Sequence, residues 1–159
     1  MPDCAQGFFI GDEDAFLCGL AAQFSREIKT GLLQCEVAKG LTKFRVSLPD
    51  TPWLVVSGAD QTELREIFDQ RGMSHYFDAG IYGSPKDKLS IVEELLDSGQ
   101  IHLPALCLGD SLLDYEVSKA FGLYFIFLHA RTEFADWRNY CHRHLIPSIS
   151  TISDLFDVC

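Results

Sequence analysis

The chain has 159 residues, 47% of them apolar and 23% charged, which suits a single folded domain and excludes a disordered chain. Its 23 acidic against 13 basic side chains give a formal net charge of −10, which weighs against nucleic acid and against an anionic membrane surface as partners. No apolar run approaches the ~18 residues of a spanning helix, and Met1-Pro2-Asp3-Cys4 has neither the basic start nor the apolar stretch of a signal peptide, so a cytoplasmic location is expected.

Residues 13–37 predict a helix, because Phe16, Leu17, Leu20, Ala21, Phe24, Ile28 and Leu32 recur at three- and four-residue steps. A short helical piece follows around Leu41, Phe44 and Val46, between Gly40 and Pro49. Trp53-Leu54-Val55-Val56 is wholly apolar and ends in Ser57-Gly58, the pattern of a buried parallel strand running into a loop. Helical spacing returns over 61–71, with Leu64, Ile67 and Phe68 on one face and Gly72 as the stop. Phe77 to Tyr82 predicts a strand, and Gly83-Ser84-Pro85 turns into a helix over 86–98. A strand over Leu103 to Leu108, a helix over 112–121 and a strand over Leu123 to Leu128 follow. A polar helix centred on Trp137 and a short element near Ile149 to Phe156 end the chain. Strands and helices alternate from residue 53 onward, which means a parallel sheet with helices on both faces. Residues 1–159 are expected to form one domain, with a helical segment over 1–40 and the core over 41–159.

Six cysteines are spread without a CxxC pair and are expected to be reduced. Cys141, His142 and His144 cluster near the end but lack a well-spaced fourth ligand for zinc.

In an open parallel sheet, ligands bind at the carboxyl ends of the strands, and three such ends carry suitable polar residues. At Ser57-Gly58 a hydroxyl and backbone N–H groups can hold a phosphate, or Ser57 simply begins a turn. At Gly83-Ser84-Pro85-Lys86-Asp87-Lys88, lysines near a helix start oppose the macrodipole, so they require solvent or an anion. At Gly109-Asp110-Ser111-Leu112-Leu113-Asp114, two carboxylates four residues apart suit Mg²⁺, which accepts one or two carboxylates plus water and phosphate. The competing reading makes them a helix cap and a surface acid.

Ser57, Lys88 and the Gly109–Asp114 motif together resemble the haloacid dehalogenase (HAD) superfamily, over about residues 40–156. The resemblance is to its small-molecule phosphatase branch, with Lys88 matching the Ser-Pro-x-x-Lys form of the lysine motif. It implies a HAD-like, Rossmannoid α/β fold and Mg²⁺-dependent hydrolysis of a small phosphorylated metabolite. Ser57 and Gly58 would hold the phosphoryl group, Lys88 would neutralise its charge, and Asp110 and Asp114 would hold Mg²⁺. The family also begins with a strand ending in D-x-D, whose first Asp is the nucleophile and whose second is the acid and base. Phe8-Phe9-Ile10-Gly11-Asp12-Glu13-Asp14 offers Asp12 and Asp14 for these roles, but they also read as first-turn acids of helix 13–37. That helix resembles the end of a cap. On that reading the nucleophile segment is missing, and a homodimer or a rearranged sheet is expected to cover the open strand edges.

The sequence also offers two other enzyme readings and one non-enzyme reading. Gly109-Asp110-Ser111-Leu112 also spells a serine-esterase signature with Ser111 as nucleophile, but no D-x-x-H follows it. No G-x-G-x-x-G marks a dinucleotide site. The rival from another class is a non-catalytic HAD-like module that binds a partner or a second copy through Phe16, Leu17, Leu20 and Phe24.

Overall fold

The computed structural model describes residues 29–156. The chain divides into two compact units, Met1–Cys35 and Glu36–Cys159. Of the first, residues 29–34 are helical, and 36–38 carry no regular structure, so the helix expected to reach 37 stops earlier. The rest of helix 13–37, the Phe16 to Phe24 face, and Asp12 and Asp14 lie outside the described residues.

The second unit runs α1 (Leu41–Ser47), β1 (Leu54–Asp60), α2 (Gln61–Gln70), a 3-10 turn (Ser74–Tyr76), β2 (Gly80–Ser84) and α3 (Lys88–Asp97). It continues with β3 (Leu106–Gly109), α4 (Leu112–Phe121), β4 (Tyr124–Leu128), α5 (Trp137–His144), β5 (Ser148–Ile149) and a final 3-10 turn (Ile152–Phe156). Local chemistry sets the helix starts. The carboxylates of Asp60 and Asp87 accept the Glu63 and Ser90 N–H groups, each at 2.9 Å, and so cap α2 and α3. Ser111 and Asp114 form a reciprocal capping box on α4, which Gly122 ends in the left-handed conformation at φ 69°.

All strand pairs are parallel, but the described strands form two sheets, β1–β2 and β3–β4–β5, rather than one continuous ladder. The register of β1–β2 breaks where Val56 pairs Tyr82 and Asp60 next pairs Ser84, so residues 57–59 bulge opposite Gly83 alone. A Cβ at Gly83 would stand 2.3 Å from the Ala59 carbonyl oxygen, so only glycine lets the strands approach there. The β3–β4 register is unbroken. Helix α3 packs on β1 and β2 and also on α4, linking the two sheets.

Each half has its own core. In the β3–β5 half, Phe125, Phe127, Cys141 and Ile146 are buried, with Phe127 only 1% exposed. In the β1–β2 half, Trp53 packs between Phe44 (5.1 Å) and Phe77 (6.4 Å), and Phe77 meets Phe68 edge-on at 5.2 Å.

Several element bounds differ from expectation, the largest being that β1 continues through Ser57 to Asp60, held by its pairing with β2, where a loop was expected after Val56. The strand predicted from Phe77 begins at Gly80, because Phe77 packs its ring inward and Asp78 Oδ1 accepts the Trp53 N–H at 2.8 Å. The strand predicted from Leu103 begins at Leu106, and Leu103 is exposed. The helix predicted from 86 begins at Lys88, after its cap Asp87. Among the described residues no helix is long and apolar enough to cross a membrane, and Cys107 and Cys141 are free thiols.

Candidate functional site

The carboxyl ends of β1, β2 and β3 carry the residues singled out from the sequence. Ser57 and Gly58 sit in the bulge of β1, Lys88 opens α3 after β2, and Asp110 follows β3 directly. The structure brings Lys88, Asp110 and Asp114 together. Lys88 Nζ donates to Asp114 Oδ1 at 2.6 Å, with the two side chains only 18% and 12% exposed. The anion that a lysine at this helix start requires is therefore a protein carboxylate, brought from the first turn of α4. Lys86 is paired elsewhere, with Glu94.

Asp114 is fully engaged. Its Oδ2 accepts the Ser111 hydroxyl at 2.7 Å and the Ser111 N–H at 3.2 Å, while Oδ1 faces Lys88. The cap expected of this acid is present, and the same carboxylate also pairs Lys88. Close packing makes this possible: a Cβ at Gly109 would fall 2.5 Å from Asp114 Cβ. The Ser111 hydroxyl gives its proton to Asp114 Oδ2 and accepts the Asp114 N–H, so it is not poised as an esterase nucleophile.

Asp110 differs. No ion pair joins it among the described residues. Partial desolvation pushes its carboxyl above the ordinary range, the Asp114 charge adds to the rise, and Glu133 adds a smaller share against the offsetting charge of Lys88. Ser57 accepts the Ala59 N–H at 3.2 Å, which leaves its hydroxyl proton to be donated. No hydrogen bond or ion pair joins Ser57 or Gly58 to Lys88 or Asp110 among the described residues.

The donor set can be tested against Mg²⁺. Among the described residues no three His, Cys, Asp or Glu side chains gather in a way that could hold a metal ion. Asp110 makes no ion pair among the described residues, and one carboxylate with water and phosphate oxygens satisfies Mg²⁺. Asp110 therefore fits as a ligand, whereas Asp114 fits best in support.

Two residues beside Asp110 left no signal in the sequence. Thr132 Oγ1 donates to the Asp110 carbonyl oxygen at 2.5 Å, and the Glu133 charge reaches the Asp110 carboxyl. Both lie in the polar loop after β4, where a threonine and a glutamate read as ordinary surface residues.

No protein-family profile matches the sequence, and no curated protein does. Solved structures do. The chain superposes on a candidate phosphatase from Clostridium difficile with a TM-score of 0.68 and 16% identity, covering 94% of this chain and 72% of that one. A HAD hydrolase of family IA, variant 3, from Entamoeba histolytica gives a TM-score of 0.67 at 16% identity, covering 91% and 68%. A HAD-superfamily hydrolase from Ehrlichia chaffeensis gives 0.59 at 18%, covering 95% and 80%. The fold is HAD-like. The strands of each sheet are parallel, and in parallel α/β folds ligands bind at the carboxyl ends of the strands.

Proposed function

We propose that this HAD-like chain is a hydrolase of phosphate monoesters of small metabolites, acting with Mg²⁺. The observation that carries the reading is the Lys88–Asp114 pair at 2.6 Å with Asp110, exposed and in no ion pair among the described residues, beside it. The pair joins two helices at the ligand-binding face and leaves the Asp110 carboxylate open to a cation. The HAD hydrolases with the same fold support it.

Each residue takes a role from its surroundings. Asp114 holds Lys88 in place, and Lys88 faces and orients the phosphoryl oxygens, since phosphoryl transfer relies on positioning and charge stabilisation. Ser57 donates its hydroxyl proton to a phosphoryl oxygen, with Gly58 giving the backbone room to approach. Asp110 would be the direct ligand of Mg²⁺, with Asp114 supporting it through Ser111 or water. When bound, Mg²⁺ neutralises charge on the phosphoryl oxygens. Asp12 and Asp14 are assigned from sequence order. The Asp12 carboxylate attacks phosphorus and the P–O bond to the alcohol breaks, the leaving oxygen taking a proton from Asp14. Water then gives its proton to Asp14 and cleaves the aspartyl phosphate to inorganic phosphate, restoring Asp12.

The test is hydrolysis of an aryl phosphate with and without Mg²⁺, on wild type beside Asp12→Asn and Asp110→Asn. Mg²⁺-dependent turnover lost by about 100-fold or more in both variants is expected. No turnover by a folded wild type would overturn hydrolysis and favour the non-catalytic binding module. Turnover untouched by Asp12→Asn would remove Asp12 as nucleophile and leave the Lys88 site standing.

A further inference from the structure

We propose that Thr132 is a positioning residue for Asp110, fixing the direction in which its carboxylate points. The inference presupposes the reading of Asp110 as the Mg²⁺ ligand. The peptide unit joining Asp110 to Ser111 is planar, so its carbonyl and its N–H move together. Both ends of this unit are held. Its carbonyl oxygen accepts the Thr132 hydroxyl at 2.5 Å, and its N–H donates to Asp114 Oδ2 at 3.2 Å. Holding both ends of the plane fixes the backbone on the carboxyl side of Asp110, and with it the direction of the side chain.

Thr132 is itself held in a defined geometry. Its Oγ1 accepts the Phe134 N–H at 3.1 Å while donating to Asp110, so the hydroxyl has one orientation that satisfies both. The loop around it is anchored at either end. The His129 N–H donates to the Ile149 carbonyl at 3.0 Å, and the His129 ring lies flat on Trp137 at 4.3 Å. The Trp137 N–H donates to the Phe134 carbonyl at 3.2 Å, and the Phe134 ring meets Tyr140 edge-on at 5.6 Å. Asp110 thus stands between two supports from different parts of the chain, the cap of α4 and a loop more than twenty residues downstream. Outer groups that orient a metal ligand typically govern affinity by about 10-fold or more.

The experiment is Mg²⁺ titration by calorimetry, with the melting temperature of the metal-free protein measured alongside. It compares wild type, Thr132→Val, Thr132→Ser, Phe134→Ala and Asp110→Asn. Thr132→Val should weaken Mg²⁺ binding by about 10-fold, and Thr132→Ser should restore it to within about 2-fold. Phe134→Ala should lower the melting temperature yet leave affinity within about 2-fold, since it keeps the hydroxyl and loses only packing. Wild-type affinity in Thr132→Val would overturn the proposal, as would an equal loss in Phe134→Ala. Should Thr132→Val not fold, Thr132→Ala takes its place, with the same loss of about 10-fold expected and wild-type affinity overturning the proposal. Asp110→Asn binding Mg²⁺ as wild type does would instead overturn Asp110 as the ligand, and the role of Thr132 with it.

Discussion

The two halves of the α/β layer hold their site residues in opposite ways. In the β3–β5 half the register is unbroken, Phe127 is buried beneath the strands, and Asp110 and Asp114 sit in a closed set of hydrogen bonds with Ser111 and Thr132. In the β1–β2 half the strand bulges at the site, where half-buried Ser57 offers a hydroxyl and exposed Gly58 offers main chain. The difference teaches a division of labour. One half makes charged groups rigid, which charge stabilisation needs, and the other offers main chain at a bend, which an anion can approach closely.

This comparison can be broken in three places. Phe127→Ala should give the largest effect, about 3–5 kcal/mol of stability, because it leaves a cavity under a fully packed strand. Chemical denaturation would check this. An equal loss from Phe77→Ala would mean that the halves are equally tightly packed. Asp114→Ala comes next, at about 2–3 kcal/mol, since it strands a largely buried Lys88 and removes the Asp114 half of the capping box on α4. The double variant Asp114→Ala with Lys88→Met should recover much of that loss if the pair is what links the halves. Asp78→Asn should be the smallest, at about 1 kcal/mol, through weakened bonds to Trp53 and Arg45 in the β1–β2 half. It also carries a pH signature. The Trp53 N–H, aided by Arg45 and opposed by desolvation, holds the Asp78 carboxyl below its ordinary 3.8. Its contribution is complete above that value and lost as pH falls through the lowered one, so wild type and Asp78→Asn should converge in acid.

Much of the second unit was legible in the sequence. The apolar runs Trp53 to Val56, Leu103 to Leu108 and Leu123 to Leu128 read as strands, and the structure has a strand within each, although Leu106 and Tyr124 are exposed. Gly109 to Asp114 was legible because glycine, acid and cap residues cluster where strand turns to helix. Other features depend on distant partners. Phe77 reads as strand because apolar residues do, but its ring is drawn out of the ladder by Trp53 and Phe68. The division into two sheets is a matter of which edges bond, and periodicity carries no such information. The Lys88–Asp114 pair spans 26 residues and the Thr132–Asp110 bond spans 22, so neither leaves a local pattern. That Lys88 needs solvent or an anion was legible, but that Asp114 supplies the anion was not.

The aromatic packing gives each half its own optical signal. The chain has two tryptophans, Trp53 against Phe44 and Phe77 in one half, and Trp137 stacked with His129 and Phe127 in the other. Single-indole versions made by Trp53→Phe and Trp137→Phe would therefore follow the melting of each half separately by fluorescence. Coincident transitions would mark one cooperative unit held across α3, and separated ones would mark two halves that come apart in turn.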